Sequence, residues 1–248
     1  MIFADKALLP SGWADNVRIQ MSDGLVSAVE AGAVLQPGDT RVSALVPGMP
    51  NAHSHAFQRG HAGLTEIRGA GRESFWTWRE MMYRFALSVS PDDVAALAEM
   101  AYVEMLEAGY TRVGEFHYLH HAPDGAPYEN PAELSDRIFS AAEQTGIALT
   151  HLPVFYAHGG FGPKSPMEGQ RRFLNSVDRF VDLVERCDAR KTRPQDRVGF
   201  APHSLRAASH EELTELRAAL PTSAALATIW RAINELDLTL KKNRTRRR

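Results

Sequence analysis

Polar and apolar positions alternate in part from Val17 to Met21, and further short apolar segments follow Gly24 and run from Asp39 to Val46. A period of two is that of a half-buried strand. Pro10 to Gly12, Asp23-Gly24 and Pro37 to Asp39 separate these segments with turn chemistry. Residues 1–46 therefore predict a small β unit. The rhythm then changes. Leu45 to Met49 is a short apolar run that predicts a strand ending in Asn51 to His55. Ser90 can cap a helix reaching about Ala108, with Pro91 in its first turn and Asp92 and Asp93 at its positive end. Strands are predicted at 111–118, 147–155 and 197–201. Helices are predicted at 131–145, 169–187 and 209–219; Phe173, Val177, Phe180, Val181 and Val184 give the second of these its helical spacing.

Four β-α units in succession imply an α/β protein with a parallel sheet. Histidines gather after the strands: His53 and His55; His117, His120 and His121; His158; His203. Parallel-sheet enzymes place their chemistry at the carboxyl ends of strands. Both a doubly wound sheet and an eight-stranded barrel satisfy this pattern, and four units supply half of the latter. After Leu220 the pattern stops, and no fifth strand carrying a polar residue at its end follows.

The 248 residues, 44% of them hydrophobic and 23% charged, suit a chain with a sizeable core. The net charge of −2 is uneven, because six of the last eight residues are basic and the rest of the chain holds 22 basic against 30 acidic residues. An acidic body argues against nucleic acid as a partner. With one cysteine, Cys187, there is no internal disulfide. No secretory leader and no membrane-length apolar run is apparent, so a cytoplasmic location and no membrane partner are expected.

Side chains two apart on a strand share a face, so His53 and His55 can reach one cation, and neutral imidazole is a good zinc ligand. Two hydrogen-bonded or solvated histidines satisfy the same spacing. His203 lies at another strand end with Arg206 three residues on; Arg206 is either a forked clamp for a carboxylate or a solvent-facing helix-start arginine. The run EFHYLHH from Glu115 to His121 is either a second metal site or a polar strand-end loop. The bulky stretches 75–78 and 81–83 fall in a long predicted loop, as a lid or as packing.

The segment VPGMPNAHSHAFQRGHAGLT (46–65) resembles the first metal-binding strand of the amidohydrolase superfamily, and within it the N-formimino-L-glutamate deiminase family. FWTWREMMYRFA (75–86), GYTRVGEFHYLHH (109–121) and APHSLRA (201–207) extend the likeness to about residue 220. The resemblance implies a (β/α)8 TIM barrel beside a small β-sandwich. Residues 1–46 would be part of the sandwich, 47–220 the first half of the barrel, and 221–248 an anomalous basic tail. It implies one divalent metal, usually zinc, with His53 and His55 as ligands. Gln58, Tyr118, His203 and Arg206 match residues lining the pocket of a small-molecule substrate. The implied reaction is hydrolysis of N-formimino-L-glutamate to N-formyl-L-glutamate and ammonia, and a homodimer is expected for a full-length protein.

The family's later metal ligands and acid–base groups have no counterpart here. No histidine follows His210, and Asp237 is the only aspartate after Leu220. The chain is therefore expected to be a truncated or frame-shifted form, inactive alone and holding zinc weakly or not at all. Other amidine, guanidine or aminated-ring deaminases, and a non-catalytic carboxylate-binding protein, are the alternatives.

Overall fold

The computed structural model describes residues 1–64 and 75–220, in two compact units divided at Met49. The expected basic tail, 221–248, lies outside the described residues.

The first unit is a four-stranded sheet of β1 (Ile2–Leu9), β2 (Gly12–Ser22), β3 (Leu25–Glu30) and β4 (Thr40–Leu45), ordered β3-β2-β1-β4. β4 runs parallel to β1, and the other pairings are antiparallel. Asp23 and Gly24 both take positive φ, which matches the twist of a two-residue hairpin between β2 and β3. Ala4, Ala7 and Val17 are buried, with Ile19, Val42 and Leu45 packed on them. Arg18 forks onto Asp39 at 2.9–3.2 Å, and Asp39 also accepts from the Gln36 N–H, so its pKa lies below the usual value. β3 is exposed along its whole length.

The second unit contains β5 (Met49–Ser54), α1 (Phe75–Ser88), α2 (Pro91–Glu107), β6 (Tyr110–His117), α3 (Glu133–Thr145), β7 (Ala148–Phe155), α4 (Val177–Arg190), β8 (Arg197–Val198), β9 (Ala201–Pro202) and α5 (His210–Ala219). The sheet order is β5-β6-β7-β8, with β9 also on β7; β6 to β9 pair in parallel. This is the α/β parallel-strand architecture expected. The helix layer buries Val94, Ala98 and Tyr102 of α2, Leu134, Ile138 and Ala142 of α3, and Phe180, Leu183, Val184 and Cys187 of α4. Each set follows helical spacing.

Four boundaries differ from the sequence reading. The strand expected at Leu45 to Met49 is instead a gap between sheets: β4 ends at Leu45, Pro47 and Gly48 interrupt, and β5 starts at Met49. The loop expected around residues 75–88 is helix α1, whose Met82 and Ala86 are buried one turn apart. α4 starts at Val177, where Ser176 accepts from the Arg179 N–H, rather than at Gly169. Gly169 lies in a short 3-10 turn, where a Cβ would sit 2.7 Å from the Tyr83 ring. The strand expected at 197–201 is two short ones either side of Gly199.

Arg172 is fully buried with carbonyls for partners. It donates to Ala86 O (2.5 Å) in the last turn of α1, to Val89 O (2.8 Å) just beyond it and to His121 O (2.7 Å) after β6, with the Tyr128 hydroxyl farther off at 3.4 Å. Nearby, His117, His120 and His151 are at most 2% exposed, with ring centroids 5.5 Å (His117–His151) and 5.9 Å (His117–His120) apart. His120 bonds Val154 O at 3.0 Å, while the rings of His117 and His151 close no hydrogen bond of normal geometry. Desolvation, then the cost of charging imidazoles side by side, keeps all three neutral, with His151 lowered to about 3.

These histidines should make the fold acid-labile. Below about pH 6.5 the unfolded chain takes up protons that the buried rings refuse, so their contribution is complete above that pH and lost as pH falls. Glu115, raised to about 7 by burial, works in the opposite sense, contributing at low pH and losing that contribution as pH rises. Three rings outweigh one carboxyl, at about 1.4 kcal/mol per pH unit for each uncompensated proton. The urea midpoint should fall between pH 7 and pH 5.5; a flat profile would show the rings to be solvated.

Candidate active site

The two faces of β6 divide the labour. Val113, Glu115 and His117 alternate on the buried face, where Glu115 meets Tyr102 of α2. Phe116 lies on the other face, with ring centroids 5.1 Å from His53, 5.3 Å from His55 and 6.3 Å from His203. β5 lies beside β6 at close range, because Gly114 has no side chain: a Cβ there would stand 2.9 Å from Ala52 O.

His53 is the penultimate residue of β5 and His55 follows the strand, and their Nε2 atoms converge to 3.0 Å. His55 Nδ1 lies 2.9 Å from the Phe116 carbonyl, so Nδ1 carries the proton and Nε2 keeps its lone pair. A neighbouring carbonyl that fixes the tautomer in this way is characteristic of metal-ligating histidine. With Zn–N bonds of 2.0–2.1 Å, two tetrahedral ligands stand about 3.3 Å apart. The donor pair fits two positions of such a site. Among the described residues no group of three or more His, Cys, Asp or Glu converges to hold a metal ion. Burial first, then His53, lowers the His55 pKa.

Around this pair the aromatic walls are close. Tyr118 is 3% exposed, and its ring centroid is 5.2 Å from His55, 5.7 Å from His203 and 5.0 Å from Phe173. Gln58 Nε2 donates to its hydroxyl, and burial raises the Tyr118 pKa, so the phenol stays protonated. His203 sits 4.7 Å from the Tyr156 ring; desolvation by these rings, then His55 and Arg206, pushes its pKa down although one side of the ring is open. Arg206 is exposed, with its guanidinium 5.8 Å from the Phe161 ring centre and no carboxylate partner among the described residues. The structure thus brings His53, His55, Tyr118 and His203 together, pairs Gln58 with Tyr118, and leaves Arg206 at the edge.

The second metal site weighed for Glu115 to His121 does not form. Strand alternation sends Glu115 and His117 into the helix layer, His120 bonds Val154 O, and His121 bonds Leu174 O at 2.7 Å. Phe116 and Phe173, whose rings lie against His53, His55 and Tyr118, stood in the sequence only as part of a polar run and of a helical spacing, and neither pattern marks them as site residues.

The chain is thus an α/β protein with a parallel sheet and a converging imidazole pair at one strand end. The chain belongs to the amidohydrolase family, which residues 44–226 match. Residues 1–43 match the family described as the N-terminal domain of formimidoylglutamate deiminase HutF. Formimidoylglutamate deiminase of Pseudomonas aeruginosa is 48% identical over 219 residues, covering 88% of this chain and 48% of that protein. A crystal structure of an amidohydrolase from Brucella melitensis has a TM-score of 0.86 at 53% identity, covering 89% of this chain and 49% of that one. Atrazine chlorohydrolase from Arthrobacter aurescens, complexed with zinc, shares the fold alone, with a TM-score of 0.65 at 17% identity over 88% of this chain and 50% of that one. The chain spans about half the length of these relatives. Among the described residues no helix is long and apolar enough to cross a membrane.

Gly114→Ala should destabilise the chain by about 1–3 kcal/mol, because the new methyl meets backbone rather than a movable side chain. A thermal midpoint equal to wild type would mean that β5 and β6 are not in close register at Ala52.

Proposed function

We propose that this chain carries the first metal ligands and the substrate-recognition wall of a deiminase. The enzyme would hydrolyse N-formimino-L-glutamate to N-formyl-L-glutamate and ammonia. The observation that carries the reading is the 3.0 Å convergence of His53 and His55 Nε2, beside the Gln58–Tyr118 pair and His203. The 48% identity to a deiminase of that name supports it.

The metal would be one divalent ion, zinc by chemistry, with His53 and His55 as two of its ligands. When bound it lowers the pKa of water and polarises the carbon under attack. His55 presents Nε2 because the Phe116 carbonyl holds its other nitrogen. The Tyr118 phenol, kept protonated and oriented by Gln58, offers a hydrogen bond to the polar head of the substrate. Neutral His203 can donate from one nitrogen and accept at the other. Arg206 provides a permanent charge with forked geometry for a substrate carboxylate. The acid and base that would move protons are not identified among the described residues. In this reading the chain alone recognises the substrate but does not turn it over. Burial of Cys187, the one cysteine, fits a reducing cytoplasmic setting.

The test is calorimetric titration of the zinc-supplemented chain with N-formyl-L-glutamate. Binding should weaken roughly tenfold or more in Arg206→Ala, the loss expected of a charge-assisted hydrogen bond. His55→Asn should lower zinc uptake without lowering the thermal midpoint in chelator. Binding of an aminated-ring compound with none of N-formyl-L-glutamate would overturn the reading in favour of a different deaminase.

A further inference from the structure

We propose that Glu115 is the positioning residue for the imidazole pair, holding from β6 the strand end that aims His53 and His55 at a shared ion. The inference rests on the metal reading above and adds a residue to it.

The turn that follows the imidazole pair has no cap of its own. Ala56 to His61 form a 3-10 turn directly after the pair, with His55 in the capping position. The first N–H groups of such a turn have no partner within it. A capping side chain ordinarily supplies one, but His55 makes no cap hydrogen bond. Its ring is engaged elsewhere, with Nδ1 at the Phe116 carbonyl. A residue cannot both cap its own turn and point a nitrogen at a metal. Glu115 resolves the conflict from the neighbouring strand, where its Oε1 accepts the Ala56 N–H at 2.7 Å.

The neighbours of that carboxyl show that the contact is built in. Glu115 is 0% exposed. The Ser54 hydroxyl, between the two histidines in sequence, also faces it. The Tyr102 hydroxyl approaches from α2 without closing a bond of normal geometry to Oε2. Its polar partners Ser54 and Ala56 thus bracket His55 on both sides. Consecutive residues of β6 share the task, the Glu115 side chain gripping the backbone after His55 and the Phe116 carbonyl gripping its ring. On this face His117 is buried as well, but only the Glu115 carboxyl reaches the backbone that follows the imidazole pair.

Three variants test it: Glu115→Ala, which removes the acceptor; Glu115→Asp, which retracts it by one methylene; and Glu115→Gln, which keeps an oxygen at the same reach. Two readouts are taken on the full chain. The first is the tautomer of His55 in metal-free protein, from long-range proton–nitrogen NMR of the rings. The second is zinc affinity by competition with a chromophoric chelator. Wild type should show the Nδ1–H tautomer. Glu115→Ala and Glu115→Asp should show mixed tautomers and lose about tenfold or more in zinc affinity, as outer-shell changes do. Glu115→Gln should restore both, which general loss of stability would not allow. If Glu115→Ala fails to fold, Glu115→Asp and Glu115→Gln still decide the matter. Wild-type tautomer and affinity in Glu115→Asp, or no rescue in folded Glu115→Gln, would overturn the proposal. A wild-type chain that takes up no zinc would defeat the metal reading, while the tautomer comparison would still judge Glu115.

Discussion

Strand β6 has to satisfy two environments at once, and most of what is distinctive in this chain follows from that. Its even spacing sends Val113, Glu115 and His117 into the helix layer. The residues between them, Gly114 and Phe116, meet β5 and the imidazole pair. Gly114 lets β5 approach, and the Phe116 carbonyl sets the tautomer of His55. Had β6 slipped by one residue, every one of these side chains would change faces. The register of this strand on β7, with Val113 opposite Leu149 and Glu115 opposite His151, is therefore as much a property of the site as of the sheet.

The same side chain takes opposite roles on the two faces. His55 lies half-buried at a strand end, with one nitrogen assigned by a carbonyl and the other directed at His53. His117 and His151 lie two or fewer percent exposed in the helix layer and are held neutral there. Histidine content alone cannot separate these cases. Strand parity can, because the face decides whether an imidazole meets packing or a cleft.

The order of strands and helices was legible from periodicity and punctuation: Ser90, Gly146 and Ser209 stand at the ends where caps belong. The imidazole pair was legible from its spacing of two. Helix α1 was not, because its aromatic residues drew the reading toward a lid while the buried Met82 and Ala86 repeat went uncounted. The role of Glu115 was hidden for a different reason. It depends on a hydrogen bond to Ala56, 59 positions away, and no local pattern encodes a contact of that separation. The split at Gly199 and the start of β5 after Gly48 were likewise set by breaks that pattern matching places only to within a few residues.

Arg172 has a consequence for how disturbance spreads. One planar guanidinium grips the carbonyls of Ala86 and Val89 at the end of α1 and of His121 behind β6. The next residue, Phe173, stacks edge-on against Tyr118 at 5.0 Å. Helix α1 and the aromatic wall of the cleft are thereby geared together. The same helix also meets that wall directly, with the Met82 sulfur 3.9 Å from the Tyr118 hydroxyl and the Tyr83 ring 6.0 Å from Phe173, so the guanidinium and these contacts hold one junction between them. Lysine could not take over this coupling, since a single ammonium centre cannot span carbonyls that lie around the rim of a flat fork.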